Sequence, residues 1–502
     1  MFKSILYPPE AEIPSMVTET PGFFTDIGLL PVMEGLRPYC SNLSPFMTPV
    51  TDPAVLSYRQ DIGRDLENLT VRQRFSKLCK ELSTMARQLQ ADRTQQLPYV
   101  HACRFVTLAG QYVEQMQAFL KDLPYRELHS AGLRDLYLYV RSCLNRPEIA
   151  RMRIDILSIQ REWKQMEYTL RMEGNEISVG PRGPAAYLDE AVRAQFAAFR
   201  VPGVRAAAPR PPAGETSPEN TNGILALLAE QNPVLFDRLL QFVEDNRSFA
   251  DRTLLRAAEE LPFYISWLSE TDRLERAGCQ FCYPEIVGTG EECRVQDCFD
   301  LALAQKLAED GKSPVTNEFT LHKGEHIVII TGPNQGGKTT FTRMLGQLFY
   351  LTSLGLRVPG SSAVIHPPEQ IYTHFMRLKD NGAVSLRTDL QRLRAITSQA
   401  NQDSLVLINE IFSSVPRCDG LWLSREMLRM LDEIGCLTVC VTFLTELASY
   451  NEHTVSLKSR MGEEEKRTFR LERAKPDGLA HALSLARSKG LTCEEIKGRI
   501  QP

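Results

Sequence analysis

Hydrophobic positions recur every three or four residues over 61–93, 100–121 and 131–172, a spacing that predicts long amphipathic helices. Pro98, Pro124 and short polar turns separate these segments, and Pro147 predicts a kink or break inside the third. Helical spacing resumes at 223–247 and 249–278. Between 174 and 222 two proline-rich stretches flank a short helical piece, Tyr187 to Arg200, and the whole reads as a mobile insertion between an outgoing and a returning helix. Residues 1–60 are rich in proline and turns. From about 285 the period changes. Short β-branched apolar runs at 326–331, 404–408 and 437–442 alternate with helical stretches at 339–354, 385–400, 420–434 and 478–489. Such alternation predicts a largely parallel sheet covered by helices. Residues 454–460 and 467–473 predict a terminal hairpin. The expected organisation is an N-terminal segment over 1–60, a helical core over 61–284 with its insertion at 174–222, and a strand-and-helix domain over 285–502. The fold class is α + α/β.

The run at 326–331 leads into Gly332-Pro333-Asn334-Gln335-Gly336-Gly337-Lys338-Thr339, which fits the phosphate-loop pattern G-x-x-x-x-G-K-[ST]. Helical spacing follows from Thr340. A strand–loop–helix unit aims backbone N–H groups and the positive end of a helix dipole at one place. Residues 332–340 are therefore the expected nucleotide-binding set, with Lys338 on the β- and γ-phosphates and the Thr339 hydroxyl on Mg²⁺. A second acidic strand end is needed to hold Mg²⁺ and orient water. Leu405-Val-Leu-Ile-Asn-Glu410 supplies it: Glu410 is the expected catalytic carboxylate, and Asn409 an uncharged second metal contact.

Composition narrows the partners. The 502 residues allow two to four domains, and 43% apolar with 24% charged residues is an ordinary globular balance. No run of eighteen apolar residues and no signal-peptide core occur, so a cytoplasmic protein without a membrane span is expected. A net charge of −4 gives no global attraction to nucleic acid, so any DNA contact falls to local patches such as the arginines between 143 and 171. The twelve cysteines are expected to be mostly small buried hydrophobes. The spacing of Cys279, Cys282, Cys293 and Cys298 is loose for a zinc ribbon or finger.

The loop Gly332–Thr340 resembles the P-loop of the MutS family of DNA mismatch-repair ATPases. Asn409-Glu-Ile-Phe-Ser-Ser-Val-Pro-Arg-Cys-Asp-Gly420 aligns without gaps on that family's Walker B and signature loop, Asp-Glu-Ile-Gly-Arg-Gly-Thr-Ser-Thr-x-Asp-Gly. Val441-Thr-Phe-Leu-Thr-Glu-Leu447 sits where the family has Thr-His-x-x-Glu-Leu. Leu43 to Gln60 is similar to the start of the helical core in short, stand-alone MutS-like bacterial proteins. The resemblance covers most of the chain and is strongest over 320–450. It implies an ABC-type ATPase domain that dimerises around two ATP molecules with Mg²⁺. It also implies an all-helical core whose lever helices end in a clamp for double-stranded or branched DNA. It places the chain in DNA repair or recombination, with no N-terminal mismatch-reading domain and no nuclease module expected.

Three departures bear on turnover. Pro416 takes the place of the signature serine, with Ser413 and Ser414 nearby. Phe443 takes the place of the switch histidine, and Asn409 that of the acidic Walker B residue. Each removes a contact of a kind worth about 2–4 kcal/mol in a transition state, so slow hydrolysis is expected. Two other readings fit the motif: a nucleotide-binding dimeric scaffold without turnover, and an ABC-type ATPase docked on a membrane transporter.

Overall fold

The computed structural model describes residues 2–92, 97–173, 176–181, 218–375, 386–412, 415–461 and 467–475. By contacts the chain falls into two units. One is formed by residues 1–2, 73–128 and 133–259, the other by 3–72, 129–132 and 260–502.

A six-stranded sheet organises the second unit: β1 (Ile327–Thr331), β2 (Gln370–Phe375), β3 (Ser404–Asn409), β4 (Leu437–Val441), β5 (Thr454–Met461) and β6 (Arg467–Arg473). The order across the sheet is β2-β3-β4-β1-β5-β6. The first five strands run parallel, and β6 closes the edge antiparallel to β5, as the terminal hairpin predicts. Ile327 to Ile330 and Leu405 to Ile408 are all fully buried. Burial of every side chain along a strand requires cover on both faces, and this is why these strands read as continuous apolar runs. Ile327, Ile329, Val406, Ile408 and Cys440 share one core cluster with Leu393 and Ile396 of α2 (Leu386–Gln399) and Met427, Leu428 and Leu431 of α3 (Arg417–Ile434). On the opposite face, Leu407 meets α1 (Lys338–Thr352) at Gly346. A smaller sheet of Glu285–Ile286, Ser362–Ile365, Cys293–Cys298 and Asn317–Leu321 belongs to the same unit.

The proline-rich N-terminal residues wrap α1. Gln347 Nε2 donates to Ile27 O at 2.7 Å, and Tyr350 Oη to Phe46 O at 2.8 Å. Arg59, fully buried, donates to Leu6 O at 3.0 Å and Leu354 O at 3.1 Å, with its guanidinium 4.9 Å from the Tyr7 ring centre. A planar, weakly hydrated cation with several fixed donors suits such a site better than a lysine would.

The first unit is mostly helical, through Pro98–Asp122, Pro147–Gln165, Pro218–Gln231 and Pro233–Asp245 among others. Two expectations change here. The helix expected to run to 172 ends at Gln165, and Tyr168–Glu173 pairs antiparallel with Glu176–Pro181. Tyr168, Thr169, Ile177 and Val179 favour the extended backbone, so the start of the expected insertion is strand. The single helices expected over 223–247 and 249–278 are each two, because Pro233 and Pro262 occupy first helical positions, where a missing N–H costs nothing. The expected helices at 187–200 and 478–489 lie outside the described residues. In this unit Asp251 caps Arg252–Glu260 by accepting from Leu254 N at 3.1 Å, and pairs with Arg146 at 2.8 Å.

The described cysteines are buried or half-buried except Cys418, which is exposed. Cys279, Cys282, Cys293 and Cys298 do not gather as metal ligands among the described residues. Cys298 Sγ donates instead to Asn317 O at 3.0 Å, and burial pushes the Cys282 thiol up to about 11. Among the described residues no helix is long and apolar enough to cross a membrane.

Gly346 tests the packing of α1. A Cβ there would sit 2.6 Å from Ile27 Cγ2 and 2.7 Å from Leu407 Cδ1. Alanine would gain about 0.5–1 kcal/mol of helix preference, but overpacking costs about 1–3 kcal/mol. Gly346→Ala is expected to destabilise the protein by about 1–2 kcal/mol, read as a lower denaturation midpoint; an unchanged or higher midpoint would contradict this packing.

Candidate functional site

β1, flanked by β4 and β5, ends at the buried Thr331 and hands the chain to Gly332 at φ 135°. The loop that follows is pressed against β5. A Cβ on Gly332 would lie 2.8 Å from Ser459 Cβ, and one on Gly336 would lie 2.6 Å from Ser459 Oγ. Ser459 Oγ in turn donates to Gly336 O at 2.8 Å. Gly337, at φ 92°, turns the chain into α1. These glycines are required by close approach and by left-handed backbone.

Lys338 follows, only 5% exposed, with Nζ donating to Gly332 O and Pro333 O, both at 2.9 Å. Its ammonium lies 4.8 Å from the centre of the Phe443 ring. Burial holds Lys338 below the ordinary lysine range, and the Glu410 charge opposes that shift. Thr339 Oγ1 donates to Asn409 Oδ1 at 3.3 Å, joining the start of α1 to the end of β3. The next residue, Glu410, leaves the sheet at φ 59° with its N–H donating to Val441 O at 3.0 Å.

A cavity of roughly 520 Å³ opens at this point. Asn334, Gln335, Gly337, Lys338, Thr339, Thr340 and Glu410 line it, so the sequence-expected residues of the loop and of the β3 end meet in one place. Gly332, Pro333, Gly336 and Asn409 do not line the cavity, but position those that do. The opposite wall could not be foreseen. It comprises Asp300, Leu303, Leu307, Val315 and Asn317 from before β1, and Phe469 from β6. Asn317 ties these together, donating to Phe469 O at 3.2 Å and accepting from Leu471 N at 2.8 Å. Arg467 reaches the loop as well, donating to Gln335 Oε1 at 2.5 Å. No motif spans these positions; only the closure of β6 onto the sheet edge unites them.

Five described non-glycine residues have left-handed backbone: Asp297, Gln335, Glu410, Phe412 and Phe469. Three of them line this one cavity. Left-handed backbone costs about 1–2 kcal/mol per residue, and such outliers concentrate at functional sites. Of the signature-loop positions, Pro416 precedes α3 without a side-chain cap, and Ser413 and Ser414 lie outside the described residues.

A central parallel strand running into a glycine loop and helix, with the polar end of β3 bonded to that helix, defines an α/β domain with a cavity at the C-terminal edge of its sheet. Residues 328–484 match the family described as MutS domain V. The chain is 29% identical over 285 residues to Endonuclease MutS2 of Thermomicrobium roseum, a match that covers 55% of this chain and 34% of that protein. It is 31% identical over 148 residues to DNA mismatch repair protein MutS of Prochlorococcus marinus, covering 29% of this chain and 16% of that one. The chain is similar to MutS-family proteins through this domain. The matches span about a third and about a sixth of these relatives' lengths.

The lysine gives a pH prediction. A bound polyphosphate would raise the pKa of Lys338, so above the depressed value of the free protein, binding must take up a proton. Affinity for inorganic triphosphate is expected to hold steady at lower alkaline pH. It should then fall by up to about tenfold per pH unit, beginning below the ordinary lysine value of 10.5. Calorimetric titration across that range checks it; a flat profile would remove Lys338 from the site.

Proposed function

We propose that this chain is an ATP-binding DNA-repair or recombination protein whose grip on double-stranded or branched DNA depends on nucleotide. The carrying observation is the convergence of Lys338, Thr339 and Glu410 on one cavity, with Asn409 bonded to Thr339. The residues fit a triphosphate: the glycine loop and the first turn of α1 line a cavity beside a buried ammonium held by carbonyl oxygens. When bound, ATP with Mg²⁺ supplies the phosphoanhydride bond. Gly332 to Gly337 and Thr340 would bind the phosphates, and Lys338 would exchange its two carbonyls for β- and γ-phosphate oxygens. Thr339 and Asn409 would hold Mg²⁺, and Glu410 would orient a water and accept its proton at the carboxylate.

The same geometry supports slow turnover. Asn409 brings no charge to a hard cation. Phe443 covers Lys338 with a ring that has no hydrogen-bond donor for a terminal phosphate. These two residues favour a second reading, a nucleotide-holding dimeric scaffold with little hydrolysis. Under both readings residues 285–502 form the ABC-type ATPase domain and pair with a second copy around nucleotide. Residues 61–284 supply the core and the lever and clamp helices. DNA contact rests on the family match, because net charge gives no general attraction.

Lys338→Ala is expected to abolish nucleotide retention. Glu410→Gln is expected to lower ATP turnover by about 10²-fold or more while nucleotide stays bound. Steady-state hydrolysis with and without branched or mismatched duplex measures both. Equal, slow rates in wild type and Glu410→Gln would select the scaffold. Duplex affinity should fall at least about tenfold between roughly 50 and 200 mM salt, through counterion release, and a salt-independent affinity would remove DNA from the proposal.

A further inference from the structure

At the other end of the sheet, three side chains from distant parts of the sequence meet. His326 immediately precedes β1, His453 immediately precedes β5, and Asp432 lies in the last turn of α3 before β4. Since β4, β1 and β5 are neighbours, their N-terminal ends lie side by side. The backbone fixes the two histidines: His326 N and Ile327 N donate to His453 O at 3.2 and 3.1 Å, and Thr438 N donates to His326 O at 2.8 Å. β1 is five residues long, so this cluster lies roughly 17 Å from the start of the nucleotide loop.

His326 Nε2 and His453 Nδ1 each lie 2.9 Å from Asp432 Oδ1. All three ligand atoms fall within 4.8 Å of one another. Asn451 Nδ2 donates to the other carboxylate oxygen at 2.9 Å, turning Oδ1 toward the imidazoles. His326 Nδ1 lies 3.3 Å from Gly324 O. Both rings therefore present a nitrogen to the same carboxylate oxygen of Asp432.

We propose that His326, Asp432 and His453 form a binding site for a divalent transition-metal ion, with zinc as the fitting ion. Two imidazoles and one carboxylate suit borderline metals, whereas Mg²⁺ and Ca²⁺ take all-oxygen sets. Ligand atoms about 2.0–2.2 Å from a tetrahedral zinc stand roughly 3.3 Å apart, so each imidazole nitrogen needs to draw back from the carboxylate oxygen by only a few tenths of an ångström. Each imidazole ligates through a nitrogen freed of its proton, while Asn451 and Gly324 act as the outer partners that orient carboxylate and ring. A fourth position is left for water or an external ligand. The ion would tie together the N-terminal ends of β1 and β5 and the end of α3.

The test uses the full, untagged chain with Co²⁺ as spectroscopic probe and Zn²⁺ as competitor. Expected are one Co²⁺ per chain, a visible d–d band without thiolate charge transfer, displacement by Zn²⁺, and a Zn²⁺-dependent rise in melting temperature. Asp432→Asn and His453→Gln should each weaken binding at least tenfold, and Asn451→Ala by roughly 10–100-fold. His453 is the most exposed of the three, so its variant keeps the test valid should Asp432→Asn fold poorly. Thiolate charge transfer, absence of uptake, or uptake unchanged in the His453 variant would overturn the proposal.

Discussion

Between the loop at 332–336 and β5 there is no room for a methyl group, and this exclusion sets the geometry of everything nearby. Ser459 can approach that closely only because β5 runs parallel beside β1 and ends level with the loop. The parallel register demands helices on both faces, and those helices deliver Lys338 and Thr339 on one side and α3 on the other. Loss of either glycine would therefore act beyond the loop. It would force apart the two strands from which both ends of the sheet take their side chains.

The cavity stores strain that the sheet supports. Gln335, Glu410 and Phe469 hold backbone angles that glycine prefers, and each is fixed by neighbours: Arg467 on Gln335, the Val441 carbonyl on Glu410, Asn317 on Phe469. Lys338 is constrained in the same manner, its charge solvated by carbonyl oxygens and an aromatic face in place of water. A group so placed would lose little order on binding an anion, because most of its freedom has already been removed.

Much of this was legible in the sequence. The strands at β1, β3 and β4 announce themselves as apolar β-branched runs because both of their faces are covered, and the glycine loop carries a spacing that few other structures need. The β5–β6 hairpin was legible for its extended-favouring residues. Helix boundaries were less so: Pro233 and Pro262 start helices, whereas periodicity alone carries across them. The hairpin at 168–181 was hidden because Leu170 and Met172 fit helical spacing as well as strand spacing. Asn317, Phe469 and Ser459 could not be read at all, since their roles follow from which strand ends adjoin. His326, Asp432 and His453 belong to the same class, scattered in sequence and united by topology.

Cys418 carries a practical consequence. It lies in the first turn of α3, two residues beyond Pro416 and next to Arg417, which pairs with Glu446 at 2.7 Å. Every other described thiol is at least partly shielded, and burial disfavours the thiolate at most of them. An electrophile or oxidant meeting the described surface will therefore modify Cys418 first. That selectivity makes it a native attachment point for a fluorophore, one that would sense any movement of this turn without an engineered residue.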